Sequence, residues 1–215
     1  KLVEQGYSVT IFDDAIHPGG MITSCIPSYR VPLRIALYDI DRILALGVKL
    51  ERKRVGRDIS LSELRDRFDA LFIAIGCQDA KKLPIPGSEH SGVFYGIPFL
   101  KSVKRGDDLD IGDSVVVIGG GNVAIDCARC ARRLGVKEVK IVCLETRDLT
   151  SKDRMPAHEW EIVEAEDEGV KICDMWGPVE IVVESGKIKG LRVKRCISVY
   201  REEDHKFSPE FNEDE

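Results

Sequence analysis

The sequence predicts an α/β protein built around parallel strands. Three observations support this prediction. An apolar run, SVVVIGGG, leads from a strand into a glycine loop; a helical segment, Asn122 to Leu134, follows the loop; and a second β-rich run, EVKIVCLE, follows the helix. Strand, glycine turn, helix and strand in this order form a βαβ unit with two parallel strands. The length of 215 residues allows one large domain or two small ones.

Composition and charge argue against several classes of protein. Hydrophobic residues make up 43% of the chain, as in an ordinary globular protein. The net charge of −5 argues against a nucleic-acid partner, because a phosphate backbone requires a basic face. No apolar run approaches the ~20 residues of a membrane span, so no membrane insertion is expected. The seven cysteines are an odd number, which favours reduced, buried thiols in a cytoplasmic protein.

Periodicity and turn residues predict the elements of the first half. SVTIFDD is a short strand that ends in acid, and VKLER is a second candidate strand. Apolar residues at helical spacing predict a helix from Leu33 to Leu46. Ser60 and Glu63 have the spacing of a capping box at the start of another helix. The apolar run DALFIAIG, closed by Gly76, predicts a strand buried on both faces of a parallel sheet.

The second half begins with a looser connection, residues 77–113, which contains one helix around Phe99–Lys104. Beyond the βαβ unit, Pro156 is predicted as the first residue of the helix AHEWEIVEAEDEG. The residues after this helix are typical of several strands joined by turns, at Gly177–Pro178 and Ser185–Gly186. The polar tail is expected to be an edge or a linker.

The glycine loop points to a ligand. Its G-x-G-x-x-A pattern consists of Gly119, which permits the tight turn, Gly121, which lets a pyrophosphate approach the backbone, and Ala124, which lets the helix pack closely on the sheet. The N–H groups and the partial positive charge at the helix start attract the diphosphate. The alternative is a glycine-rich turn that binds nothing. The residues expected to bind a nicotinamide dinucleotide here are Gly119, Gly120, Gly121, Asn122 and Val123.

Two residues after the second strand predict opposite nucleotide preferences. The strand is expected to end at Glu145, which would accept hydrogen bonds from the ribose hydroxyls and favour NAD. Arg147 lies two residues further on and would instead neutralise the 2′-phosphate of NADP. The sequence leaves both alternatives open, together with a third in which Glu145 is a solvated acid.

Cys127 and Cys130 form a C-x-x-C motif, which raises the alternative of a dithiol enzyme like thioredoxin reductase. Both cysteines lie inside a predicted helix, where the geometry rarely closes a good disulfide. A zinc site would need a second close pair, and the sequence has none. The four histidines are scattered, so no metal site is predicted.

The chain resembles the small (β) subunit of glutamate synthase and its relatives, which are pyridine nucleotide-disulphide oxidoreductase-like enzymes dependent on FAD and NAD(P). The more discriminating elements are the IP-x-YR-x-P element from Ile26 to Pro32 and the MPA element from Met155 to Ala157. The other matching stretches are VTIFDD, GGM, DALFIAIG, LPIPG, VVVIGGGNVAIDCARCARRLG and the helix after MPA.

The resemblance implies Rossmann-like nested dinucleotide-binding domains: residues 1–98 as a partial FAD domain and residues 110–215 as an NAD(P)H-binding domain. Asp13 stands where the family places an acid on the FAD ribose, and Arg30 would lie near the flavin. Ile75 and Gly76 stand in the family's Ala-Thr-Gly element. The residues implied along the flavin nucleotide are Gly19, Gly20 and Met21.

The implied activity is the passage of a hydride from NAD(P)H to FAD and of electrons to iron–sulfur clusters, in a large subunit or a ferredoxin. No side chain is expected to act as a catalytic acid, base or nucleophile. The family's first G-x-G-x-x-G should precede Lys1 and its late Gly-Asp element should follow Glu215. The chain is therefore expected to be part of a longer protein and, by itself, to be colourless and inactive. The alternative is a non-catalytic nucleotide-binding or interaction module.

Overall fold

The computed structural model describes residues 1–204 and 206–212, and it divides the chain into two compact units. The first unit is Lys1–Asp79, and the second begins at Ala80. The domain assignment 1–98 and 110–215 stays a prediction. No helix among the described residues is long and apolar enough to cross a membrane.

The first unit contains a two-stranded parallel sheet and three α-helices. Strands β1 (Thr10–Phe12) and β2 (Lys49–Glu51) pair in parallel, with Thr10 opposite Lys49. The strands predicted from SVTIFDD and VKLER and the helix predicted from Leu33 are confirmed, and α3 begins with the predicted capping box of Ser60 and Glu63. The elements are a 3₁₀ turn (Val3–Gln5), β1 (Thr10–Phe12), α1 (Met21–Ser24), α2 (Leu33–Leu44), β2 (Lys49–Glu51) and α3 (Leu61–Arg67).

The prediction of a buried strand for DALFIAIG is wrong. Residues 69–76 form neither a strand nor a helix, and their apolar side chains are exposed, Phe72 by 91% and Ile75 by 76%. A parallel strand requires a neighbour that accepts and donates its backbone hydrogen bonds. Within the described part of the chain, no strand pairs with this run.

The second unit contains one parallel and one antiparallel sheet, each of three strands. The parallel sheet has the order β3-β4-β5, and the antiparallel sheet has the order β6-β7-β8. Helix α5 connects β3 to β4, which confirms the predicted βαβ unit. The elements are α4 (Gly96–Arg105), β3 (Ser114–Ile118), α5 (Asn122–Arg133), β4 (Glu138–Val142), α6 (Glu159–Asp167), β5 (Lys171–Cys173), β6 (Trp176–Glu184), β7 (Lys187–Tyr200) and β8 (Phe207–Phe211).

Three boundaries in the second unit differ from the predictions. β4 ends at Val142 rather than at Glu145. α6 begins at Glu159 rather than at Pro156, because the N–H of Ala157 donates to the glycine loop instead of entering a helix. The turn predicted at Gly177–Pro178 is part of β6, where the missing side chain of Gly177 leaves room for the Phe211 ring.

Two further predictions of local structure in this half, a turn and an edge strand, are confirmed. Ser185 and Gly186 form the tight turn between β6 and β7, with φ values of +50° and +71°. Two consecutive residues with positive φ are typical of a two-residue hairpin turn. Residues Phe207–Phe211 of the tail form β8, an edge strand of the antiparallel sheet, and residues 205 and 213–215 of the tail lie outside the described residues.

From Ala80 onward, the looser connection before β3 is part of the second unit and packs against its helices and strands. The N–H of Ile181 in β6 donates to the carbonyl oxygen of Pro86 at 2.9 Å. Helix α4 approaches α5 at Gly96, where a Cβ would lie 3.3 Å from the sulfur of Cys127. The best-buried side chains among the described residues lie in the helices and strands of the second unit or directly after β4, namely Ile125, Val139, Ile141, Cys143, Ile162, Cys196 and Val199.

Candidate nucleotide-binding site

The glycine loop turns from β3 into α5 and leaves the helix start open. Gly119 has a φ of +123°, and its N–H donates to Val142 at the end of β4 at 2.8 Å. Gly121 is the N-cap residue of α5, and no side chain caps the helix. A Cβ at Gly121 would meet no atom within 4 Å. Since the first N–H groups of a helix have no acceptor within it, the start of α5 offers donors to an anion.

The MPA element lies beside this loop, and hydrogen bonds connect the two segments. The N–H of Ala157 donates to Gly120 O at 3.1 Å, and the N–H of His158 donates to Asn122 Oδ1 at 3.0 Å. Both residues also border an open cavity of about 500 Å³. The sequence identified MPA as a motif but assigned it no role in the site. The cavity is also bordered by Leu149, Lys152, Arg154, Met155, Pro156, Glu159 and Tyr200.

The Glu145 carboxylate lies against the glycine loop although β4 ends three residues earlier. A Cβ at Gly120 would lie 2.7 Å from Glu145 Oε2. The main chain of Glu145 is also anchored, because its carbonyl oxygen accepts the N–H of Met175 at 3.0 Å. Burial raises the pKa of the Glu145 carboxyl. An acid thus stands beside the loop, as a ribose site requires.

Arg147 does not join Glu145 but pairs with α6. Its guanidinium donates to both carboxylate oxygens of Glu166, at 3.3 and 3.1 Å. This pairing raises the pKa of Arg147. Its main-chain N–H donates to Asp174 Oδ2 at 2.8 Å.

Asp153 positions the loop between β4 and α6. It is buried, and its Oδ1 accepts the N–H groups of Val199 and Tyr200 in β7, at 3.1 and 3.0 Å. Its carbonyl oxygen accepts the N–H of Thr146. The sequence reasoning missed this residue, because an acid in the polar run SKDR carries no signal of burial.

The predicted flavin residues of the first unit fall in two places. Asp13 follows β1 and accepts the N–H of Ala15 at 2.8 Å. Gly19 and Gly20 have φ values of +116° and +59°, and Met21 begins α1. A Cβ at Gly19 would lie 2.7 Å from the Ile40 side chain, whereas Gly20 faces open space.

The remaining predicted flavin residues lie further along the chain. The Arg30 guanidinium lies over the Tyr29 ring, at 5.7 Å from its centroid. Ile75 and Gly76 lie in the exposed run 69–76, so the buried strand that was to position them is absent from the described structure.

The environment of the C-x-x-C motif does not suit a dithiol enzyme. Cys127 and Cys130 are not joined in a disulfide, and both are buried in α5. Burial, followed by the charge of Asp126, raises the pKa of Cys130 to about 12. The reactive form of cysteine is the thiolate, which such a pKa suppresses. Among the described residues, no group of three His, Cys, Asp or Glu side chains is placed to hold a metal ion.

Sequence comparison finds curated oxidoreductase subunits that are similar to this chain. A β subunit of an NADP(+)-dependent formate dehydrogenase from Moorella thermoacetica is 39% identical over 200 residues, which are 91% of this chain and 27% of that protein. A candidate glutamate synthase (NADPH) small chain from Cereibacter sphaeroides is 33% identical, and the match covers 80% of this chain and 43% of that protein. The chain therefore spans less than half of these curated relatives.

Comparison with solved structures identifies the fold of this chain. FprA from Mycobacterium tuberculosis, solved in complex with NADPH, matches 96% of this chain and 60% of its own, with a TM-score of 0.75 at 17% identity. The fold is thus the α/β, Rossmann-like fold of the FAD- and NAD(P)-dependent enzymes. Residues 2–195 match the family described as pyridine nucleotide-disulphide oxidoreductase, and the chain belongs to that family.

Proposed function

We propose that this chain is part of an NAD(P)H-dependent flavoprotein oxidoreductase and that its second unit binds the nicotinamide dinucleotide. The observation that supports this proposal best is the open start of α5. A Cβ at Gly121 would meet no atom within 4 Å, and no side chain caps the helix. A diphosphate fits this position, because unpaired amides and the helix dipole stabilise negative charge.

Each part of the proposed site has a separate task. The amides around Gly121, Asn122 and Val123 bind the diphosphate, and Gly119 and Gly120 shape the turn. Glu145 accepts hydrogen bonds from the adenine ribose, since its carboxylate lies beside Gly120. When bound, the reduced nicotinamide supplies a hydride and the flavin accepts it. The chain itself needs no catalytic acid or base for this transfer.

We also propose that the intact protein holds FAD with the first unit. Asp13 follows a strand, as an acid on a ribose does, and Gly20 faces open space next to the start of α1. The position of Gly19 favours glycine, because side chains rarely adopt its φ of +116° and a Cβ there would also lie 2.9 Å from the Thr23 side chain. Met21, Arg30, Ile75 and Gly76 complete the proposed flavin set. The visible absorbance of bound flavin in the purified intact protein tests this part, and a colourless intact protein would contradict it. For this chain by itself, a colourless preparation stays our prediction.

The finer form of the proposal is an electron-transfer subunit of the glutamate synthase small-subunit type. Electrons would leave through iron–sulfur clusters of a partner subunit or a ferredoxin. The likeness to the Cereibacter small chain, at 33% identity, supports this form, and the more similar relative is a subunit of a formate dehydrogenase. Because these relatives differ in substrate, the proposal specifies the electron donor and does not name the final acceptor.

Replacement of Gly121 by valine tests the nucleotide site. We expect Gly121→Val to weaken binding of NAD⁺ and NADP⁺ by at least about 100-fold, because the new side chain would occupy the place of the diphosphate. Gly121 has a φ of −91°, so valine causes no backbone strain and the free chain should fold normally. Isothermal titration of the chain with each nucleotide measures the effect.

Gly190 in β7 provides the matched control. A Cβ at Gly190 also meets no atom within 4 Å, so Gly190→Val introduces the same side chain without a collision. We expect this variant to bind both nucleotides as the unchanged chain does. Unaltered affinity of Gly121→Val would contradict the proposed site, and equal losses in both variants would indicate a general structural effect.

A further inference from the structure

The segment after β4 carries an acid and an arginine that would act on a nucleotide in opposite ways. Glu145, beside Gly120, favours the free ribose hydroxyls of NAD(H) and repels the 2′-phosphate of NADP(H). Arg147 is the type of residue that binds such a phosphate through two parallel hydrogen bonds. Selectivity therefore depends on whether the Arg147 guanidinium is available to a phosphate.

The structure shows that this guanidinium is already engaged. Nε of Arg147 lies 3.3 Å from Glu166 Oε1, and Nη2 lies 3.1 Å from Glu166 Oε2, which is the forked pairing that arginine also makes with phosphate. Glu159 and Asp174 add further negative charge around Arg147. A phosphate would have to displace a carboxylate that uses the same donors.

The backbone next to Arg147 is held as well. Asp174, between β5 and β6, accepts the N–H of Arg147 at 2.8 Å and the hydroxyl of Thr146 at 3.1 Å, both on Oδ2. The neighbouring Met175 has a positive φ of 61° and donates its N–H to Glu145 O. These bonds tie residues 145–147 to the turn after β5, so Arg147 is anchored at its main chain and at its guanidinium.

We propose that the second unit selects NAD(H) over NADP(H), and that Glu166 is a positioning residue that sets this selectivity by occupying the guanidinium of Arg147. This inference rests on the proposed function, since it concerns the same nucleotide site. A 2′-phosphate adds a charge of roughly −1.5 to −2 near pH 7, and it would meet the Glu145 carboxylate without a free cation from Arg147.

The cavity beside the MPA element offers a rival place for a phosphate. Lys152 and Arg154 border this cavity. Lys152 pairs with Glu202 at 3.1 Å, and Nη1 of Arg154 lies 3.5 Å from the carbonyl oxygen of Leu149. A phosphate bound there would not need Arg147, so the experiment must separate the two cations of the cavity from Arg147.

The experiment compares the affinities of NAD⁺ and NADP⁺ for the chain and for Glu166→Gln. We expect the unchanged chain to bind NAD⁺ at least about tenfold more tightly than NADP⁺, a difference of about 1.4 kcal/mol. Glu166→Gln releases Arg147 and should tighten NADP⁺ binding by about 3- to 10-fold, while NAD⁺ binding stays within about twofold. The double variant Glu166→Gln/Arg147→Ala should lose this gain.

Glu180→Gln is the matched control, because it makes the same substitution in an ion pair of β6 and β7, Glu180 with Arg192 at 2.9 Å. We expect its affinity ratio to equal that of the unchanged chain. The ratio separates positioning from folding, since a loss of folded protein affects both titrations alike. The melting temperature of each variant checks folding independently.

Three outcomes would overturn the inference. The first is equal affinity of the unchanged chain for both nucleotides or a preference for NADP⁺, and the second is an unchanged ratio in Glu166→Gln. The third is a gain of NADP⁺ affinity in Glu166→Gln that disappears when Lys152→Ala/Arg154→Ala is added but persists when Arg147→Ala is added, which would assign the phosphate to the cavity. Failure of the unchanged chain to bind either nucleotide would instead contradict the proposed function.

Discussion

The two units use apolar runs of similar composition in different ways. In the second unit, SVVVI forms β3, which pairs along its length with β4. In the first unit, DALFIAIG pairs with no described strand and exposes Phe72, Ile73 and Ile75 by at least 70%. An apolar run therefore specifies a strand only where a neighbour supplies hydrogen bonds and apolar cover.

The largest expected difference between the units is the loss of folding free energy when an isoleucine is replaced by alanine. Ile141 in β4 is fully buried, so Ile141→Ala should lower the free energy of unfolding by about 3 kcal/mol through lost burial and a cavity. Ile75→Ala makes the same change at a side chain that is 76% exposed, and should alter stability by less than about 0.5 kcal/mol. Urea denaturation followed by circular dichroism measures both. Similar losses in the two variants would show that the run 69–76 is buried in solution.

A smaller effect is expected where α5 and α6 are joined by charge. Glu168 receives hydrogen bonds from Arg129, which is buried, and from Arg133. Glu168→Gln should lower the free energy of unfolding by about 2 kcal/mol, because the buried guanidinium loses a charged partner. Both tryptophans lie in the second unit, so their fluorescence reports its unfolding. Glu138→Gln, which breaks an exposed pair with Lys140, is the control and should leave the free energy of unfolding nearly unchanged.

The ion pairs of Glu168 with Arg129 and Arg133 also predict that stability depends on pH. Burial alone would raise the pKa of Glu168, but the hydrogen bonds and charges of Arg129 and Arg133 outweigh burial and hold the pKa below the ordinary value for a glutamate. A carboxyl with a lowered pKa stabilises the folded state above its unfolded pKa, and this contribution disappears as the pH falls through the folded value. The destabilisation caused by Glu168→Gln should therefore be full at neutral pH and shrink below about pH 4. A constant difference down to pH 2 would contradict the assignment.

The smallest expected effect concerns local structure in the first unit. Ser60 Oγ accepts the N–H of Glu63 at 3.1 Å, and Glu63 Oε2 accepts the N–H of Ser60 at 2.8 Å. Ser60→Ala should destabilise α3 by about 1 kcal/mol. Ser62→Ala, in the same helix but away from the cap, should be neutral or slightly stabilising, because alanine is the better helix former. Hydrogen exchange of the α3 amides checks both, and equal protection in the two variants would argue against the cap.

Prediction from the sequence succeeded best where one short segment contains the whole signal. The glycine loop, the Ser60 cap and the Ser185–Gly186 hairpin were predicted correctly as local structure. Prediction failed at Gly177, which lies in a strand and leaves space for the Phe211 ring rather than forming a turn. It also failed at Pro156, which does not begin a helix because the N–H of its neighbour Ala157 donates to the glycine loop. In both cases a residue distant in sequence decided the conformation.

The candidate site divides in the same way. The amino-acid sequence by itself determined that a strand, a glycine turn and a helix start occur together, because those bonds join residues a few positions apart. Only the tertiary structure decided that Glu145 lies against Gly120, that Arg147 pairs with Glu166 19 positions away and that His158 bonds to Asn122 36 positions away. The physical reason is that such distant partners are brought together by the packing of α5, α6 and the parallel sheet, which no local propensity encodes.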